Sequence, residues 1–89
     1  MYQQTAAKEF LKKAKKFVKK NPQNQKRLRK TLDLLLKNPY SISLKTHKVN
    51  HRLCGSAFSS WVTGDVRIIW DFVDNKQKIL LIDLGKLLL

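Results

Sequence analysis

The chain has few residues of the kinds that cross-link or interrupt a fold. Its 89 residues include a single cysteine, Cys54, together with three glycines and two prolines. One cysteine excludes a disulfide framework and a cysteine-based zinc site, and it suits a reducing compartment. No apolar run approaches the roughly 20 residues of a membrane span, and the start lacks the regions of a signal peptide. These absences predict one small cytoplasmic domain over residues 1–89, without a membrane segment.

Acidic residues are also scarce, and the excess of positive charge lies in one part of the chain. Lys and Arg number 19 against 6 Asp and Glu, a net charge of +13. Residues 1–52 carry 15 of these cations and 2 of the acids, whereas residues 53–89 carry 4 of each. Such an excess is typical of a protein that binds a polyanion, either a nucleic acid or an acidic protein. A solvated helix face that only confers solubility is the alternative.

Two helices are predicted in the basic part. Apolar residues recur at spacings of three and four over residues 7–18, which is typical of an amphipathic helix, and Thr5 is its expected N-cap. Asn21-Pro22 ends this helix and begins another, since proline is favoured at the first helical position. A stripe of leucines follows until Asn38-Pro39. The short connection predicts an antiparallel helix hairpin.

Beyond Leu44 the pattern changes to β-branched and aromatic residues separated by short turns. Four strands are expected, near His47–Leu53, Ala57–Val62, Val66–Val73 and Lys78–Leu84. Connections this short join antiparallel neighbours. Helices followed by strands predict an α+β domain, in which the N-terminal helix hairpin packs on a small twisted antiparallel sheet.

Arg67 is the strongest functional candidate because it lies inside the apolar strand pattern 66–70. A guanidinium is not deprotonated in proteins and is rarely left unpaired in an apolar layer. Asp65 stands two residues earlier, at same-face spacing, so an Asp65–Arg67 pair that closes a hairpin is one expectation. The other is that Arg67 binds an anion such as a phosphate.

The two tryptophans could pack in the core or stack on nucleic-acid bases. In a domain this small, Trp70 is expected in the core. For Trp61 both alternatives stay open.

Several segments resemble the RelE/ParE superfamily of bacterial type II toxins, in particular the RelE/StbE-type mRNA interferases. They follow the family order along nearly the whole chain: Phe10 with its lysine-rich helix, Asn38-Pro39, Leu44-Lys45-Thr46-His47-Lys48-Val49, and the segments 62–70 and 79–85. The resemblance implies a RelE-like fold of two helices on a small antiparallel sheet. It also implies a toxin that cuts ribosome-bound mRNA without a metal or cofactor, and that forms a hetero-oligomer with a cognate antitoxin.

The same resemblance implies roles for individual residues. Arg67 would stabilise the scissile phosphate. The Asp65–Arg67 pair expected from strand spacing would orient the guanidinium for that role. His47 matches the histidine of the family's Lys-Thr-His-Lys segment and is a candidate for proton transfer, with a structural role as the alternative. Further RNA contacts are expected from Lys45, Lys48, His51, Arg52, Trp61 and Lys86.

The resemblance departs at both ends of the chain. Met1–Gln4 stands where a fuller first strand is implied, and Leu87 stands where the family has a catalytic histidine. Leucine cannot transfer a proton. We therefore expect either attenuated mRNA cleavage or a non-catalytic protein that still binds antitoxin or ribosome. A ParE-like inhibitor of DNA gyrase is a further alternative, against which the His47 segment argues.

Overall fold

Two helices and a five-stranded sheet make up the described part of the chain. A computed structural model describes residues 2–51 and 55–86. The elements in chain order are β1 (Gln3–Ala6), α1 (Lys8–Lys20), α2 (Pro22–Lys37), a 3-10 turn (Ile42–Leu44), β2 (His47–His51), β3 (Gly55–Trp61), β4 (Val66–Val73) and β5 (Lys78–Lys86). The strands lie in the order β1-β5-β4-β3-β2. Within these ranges no helix is long and apolar enough to cross a membrane.

The junction between the helices forms as predicted. Pro22 is the first residue of α2, where its missing N–H leaves no helical hydrogen bond unmade. The Asn21 side chain accepts a hydrogen bond from the backbone N–H of Gln23 at 3.0 Å. One residue therefore ends α1 and caps α2, which gives the hairpin its short connection.

The sheet is mixed rather than wholly antiparallel. β2 to β5 form the predicted antiparallel meander, and β4 has the predicted bounds. β1 adds to β5 in parallel, with Thr5 opposite Leu80. The prediction of Thr5 as N-cap is therefore wrong: backbone pairing draws it into the sheet, and Ala7 holds the cap position without a side-chain hydrogen bond.

The core lies between the helix hairpin and one face of the sheet, where Trp70 is fully buried. The Trp70 Nε1–H donates to Ser60 Oγ at 2.8 Å, so its polar atom is satisfied. Ser60 Oγ also lies 2.6 Å from Thr46 Oγ1, which donates to the Pro39 carbonyl. The core position predicted for Trp70 is confirmed, and these hydrogen bonds tie β3 to the segment that enters β2.

The sheet is strongly curled. His51 on β2 and Asp83 on β5 have two strands between them, which in a flat sheet means a separation of about 14 Å. Their side chains nevertheless meet, with His51 Nε2 at 3.1 Å from Asp83 Oδ2. Curling therefore brings the two ends of the meander together.

Candidate functional site

Trp61, Arg67 and Lys45 form one cluster, which we call the Trp61 cluster. Trp61 and Arg67 are direct partners across β3 and β4, so their side chains leave the same face of the sheet. The Arg67 Cζ lies 4.0 Å from the centroid of the Trp61 ring, and the Lys45 Nζ lies 4.1 Å from it. An aromatic ring face attracts cations. The indole therefore holds two positive charges in place, and Trp61 belongs to the cation site rather than to the core.

Arg67 is also fixed by the turn that precedes its strand. Its Nη1 donates to the carbonyl oxygens of Thr63 and Gly64, both at 3.1 Å. Its Nε is buried and has no hydrogen-bond partner among the described residues, a cost of about 1–3 kcal/mol. Nη2 has no hydrogen-bond partner among the same residues and is not completely buried. Two donors of Nη2 are consequently available to an anion.

Asp65 is not the partner of Arg67, so the expected pair is wrong. Asp65 lies in the turn before β4, where strand alternation does not apply. Its Oδ1 accepts from Thr63 Oγ1 at 3.1 Å, and its Oδ2 lies 3.9 Å from Lys86 Nζ. Thr63 Oγ1 also accepts from the Val66 N–H at 3.1 Å. Asp65 and Thr63 thus shape the turn whose carbonyls hold Arg67, and Asp65 reaches Arg67 only through that turn.

Open space lies beside Arg67 on the side of β5. Gly85 is the residue that pairs with Arg67 across β4 and β5. A Cβ at Gly85 would meet no heavy atom within 4 Å. Arg67 therefore has the Trp61 indole on one side and, on the other, open space where Gly85 has no side chain.

A left-handed backbone conformation places Lys45. Its φ is +50°, and its backbone N–H donates to the Ile42 carbonyl, which closes the 3-10 turn. This conformation is uncommon for residues other than glycine, asparagine and aspartate. The strained backbone directs the chain into β2 with the Lys45 ammonium against Trp61.

His47 is exposed and lies on the same face of the sheet as the Trp61 cluster, on the neighbouring strand β2. It pairs with Ser59, two residues before Trp61. His47 Nδ1 lies 3.0 Å from the Lys45 carbonyl oxygen. A carbonyl only accepts hydrogen bonds, so Nδ1 carries the proton, and Nε2 of the neutral ring is left as an acceptor. The structure brings His47 near the cluster but not into contact with Arg67.

The other predicted RNA contacts lie in different places. Lys48 is exposed, and alternation puts it on the opposite face from His47. Lys86 is exposed near Asp65. His51 is mostly buried against Asp83. Arg52 lies outside the described residues, as does Leu87.

Asp83 is a site that the sequence did not reveal. It joins three elements, because Lys13 of α1 donates to its Oδ1 at 2.7 Å while His51 of β2 contacts its Oδ2. Burial opposes its ionisation most, but hydrogen bonds from Lys13, His51 and the Leu84 N–H, with the Lys13 charge, together hold the pKa below its usual value. Asp83 lies inside the motif 79–85, yet only the curl of the sheet brings its partners together.

Solved structures of bacterial and archaeal toxins share this arrangement of helices and strands. A YoeB/ParE toxin from Agrobacterium tumefaciens matches with a TM-score of 0.80 at 8% identity, covering 97% of this chain and 99% of that one. YafQ from E. coli matches with a TM-score of 0.71 at 19% identity, covering 97% and 93%. A RelE–RelB complex from Pyrococcus horikoshii matches with a TM-score of 0.73 at 16% identity, covering 96% and 93%. The chain has the RelE/ParE toxin fold.

The predicted RelE-like fold is thereby confirmed. No protein-family model matches the chain, and no curated protein matches its sequence significantly. At such low identities the structural matches establish the fold alone. The Trp61 cluster and the Asp83 contacts are properties of this chain's own residues on the RelE-like sheet.

Proposed function

We propose that the chain is the toxin of a type II toxin–antitoxin system and acts as a metal-independent endoribonuclease on ribosome-bound mRNA, at a reduced rate. One observation carries the proposal. The Arg67 guanidinium is fixed by Trp61 and two carbonyls, with Nη2 unbonded and open space at Gly85 beside it. A planar cation held in this way fits the oxygens of a phosphate.

The reaction would be a transesterification within the RNA. The 2′-hydroxyl oxygen attacks the adjacent phosphorus, the bond from phosphorus to the 5′-oxygen breaks, and a 2′,3′-cyclic phosphate results. Arg67 stabilises the charge of the phosphorane. His47 Nε2, an acceptor in the tautomer that the hydrogen bond to the Lys45 carbonyl implies, takes the proton of the 2′-hydroxyl. Leu87 has no proton to give, so water or the exposed Lys86 protonates the leaving 5′-oxygen of the RNA, and the rate is reduced.

The partners follow from charge and fold together. The net charge of +13 favours an acidic antitoxin as well as RNA. Solved structures with this fold include a RelE–RelB complex and a DinJ–YafQ toxin–antitoxin complex. We therefore infer a hetero-oligomer with a cognate antitoxin encoded beside the toxin.

A non-catalytic toxin-fold protein that binds antitoxin or ribosome is the second candidate. It is favoured by the isolation of Arg67, which has no hydrogen bond or ion pair to another titratable side chain in residues 2–51 and 55–86. Such a protein would bind RNA in a salt-sensitive manner without cutting it.

Primer extension on a translated message tests the proposal. Wild type should produce specific cuts, Arg67→Gln should lose them by on the order of a hundredfold or more, and His47→Ala should reduce them. Lys12→Gln, which removes an exposed cation from α1, is the control and should cut like wild type. Intact message with wild type, free or on ribosomes, would overturn the nuclease and leave the binding protein.

A further inference from the structure

A basic cleft adjoins the Trp61 cluster. It has a volume of about 460 Å³ and shares Trp61, Thr63 and Gly64 with the Arg67 site. Its opposite wall is α2, which contributes Arg27 and Lys30. The 63–64 turn therefore lies between two groups of cations. Arg67 is on one side of it, and Arg27 and Lys30 are on the other.

The two α2 cations have no ion-pair partner in the part of the chain that the structure describes. Arg27 and Lys30 are exposed, and their i, i+3 spacing makes them neighbours on one helix face. Asp33, one helical turn beyond Lys30, pairs with neither. Like charges at this spacing repel each other, so an anion bound between them would relieve the repulsion.

We propose that this cleft is a second phosphate site, which binds a phosphate of the same RNA strand whose scissile phosphate lies on Arg67. The inference rests on the proposed function, from which it takes the RNA. A strand that leaves Arg67 past Trp61 and the 63–64 turn enters the cleft and meets Arg27 and Lys30. Cations that track the backbone beside an aromatic side chain are the usual means of holding single-stranded nucleic acid.

Two double variants on the same helix separate this site from general electrostatic attraction. Arg27→Gln with Lys30→Gln removes the site. Lys26→Gln with Arg29→Gln removes the same residue types at the same spacing, but from residues that line a neighbouring groove, which shares Lys30 and Leu34 with the cleft. All four side chains are exposed, so both variants should fold.

The measurement is the Kd of labelled single-stranded RNA of roughly eight nucleotides, and of a dinucleotide, at several salt concentrations. Loss of the site should weaken binding of the longer RNA on the order of tenfold. It should also reduce the steepness of the plot of log Kd against log salt concentration by about 0.7, the value for one phosphate contact on a single strand. The control variant should have the smaller effect, and the dinucleotide should bind both variants as it binds wild type.

Equal losses in the two double variants, or an equal loss for both RNA lengths, would overturn the second phosphate site. Failure of the proposed function has a different signature. In that case wild type would not bind the RNA, or Arg67→Gln would bind both lengths as tightly as wild type.

Discussion

Replacing Trp61 with leucine should release two cations at once. Leucine keeps an apolar side chain at the position, but it has no π face to attract Lys45 and Arg67. Arg67 keeps its hydrogen bonds to the Thr63 and Gly64 carbonyls, since these do not involve the indole. The perturbation therefore isolates the contribution of the ring to holding the cations.

The expected magnitudes follow from distance and exposure. A cation over an aromatic face contributes about 0.5–1 kcal/mol when exposed, and more when desolvated. Arg67 is half-buried at 4.0 Å from the ring centroid, whereas Lys45 is exposed at 4.1 Å. We expect a coupling to Trp61 of about 1 kcal/mol for Arg67 and about 0.5 kcal/mol for Lys45.

Double-mutant cycles measure these couplings as differences in the free energy of unfolding. Trp61→Leu is combined with Arg67→Gln, with Lys45→Gln and, as control, with Lys76→Gln in the exposed 74–77 turn. Denaturant unfolding should be followed by circular dichroism, because the substitution removes a fluorophore. Coupling for Arg67 below about 0.3 kcal/mol, the limit of ordinary additivity, would refute the reasoning. So would an equal coupling for Lys76.

Three further predictions concern residues around the site. Asp83→Asn should destabilise the fold at neutral pH. Because the folded pKa of Asp83 lies below its ordinary value, the difference from wild type in the free energy of unfolding should persist above that ordinary value and disappear as pH falls through the folded pKa. Gly85→Val should leave stability unchanged or raise it by about 0.5–1 kcal/mol, while weakening RNA binding by filling the space beside Arg67; unchanged affinity would count against a phosphate there. Ser60→Ala should lower the free energy of unfolding by about 1–3 kcal/mol in denaturant melts, because it leaves the buried Trp70 N–H unpaired, whereas a neutral effect would show that another group satisfies it.

Local patterns predicted the elements that have strong local signals. β4 is bounded by turn residues on both sides and was predicted at its true limits, Val66–Val73. The turn after it contains three consecutive residues in the left-handed region, Asp74, Asn75 and Lys76. β1 is different, because Gln3–Ala6 is mostly polar and lacks an apolar alternation. Its place comes from backbone pairing with β5, which only the fold as a whole determines.

The candidate site was predictable in its residues but not in its contacts. Arg67, Lys45 and Trp61 were all named from the sequence, yet the pairing of Arg67 with Asp65, one of the two expectations for this arginine, was wrong. Strand alternation fails in the turn that contains Asp65, and the register of β3 against β4 supplies Trp61 instead. Registers and curl depend on contacts between distant residues. The same limit concealed Asp83, whose partners come from non-adjacent elements.

The Arg67 side chain is held in place by more contacts than the His47 side chain, and this difference matters for the chemistry. Arg67 is fixed by an indole and two carbonyls, whereas His47 is exposed and held by one hydrogen bond from its own ring. Phosphate binding needs only a well-placed cation, but proton transfer needs a base within hydrogen-bond reach of the 2′-hydroxyl. A base held by a single hydrogen bond would lower the fraction of bound RNA that is correctly aligned, without lowering affinity. Under the proposed function, this site would therefore hold RNA better than it would cut it.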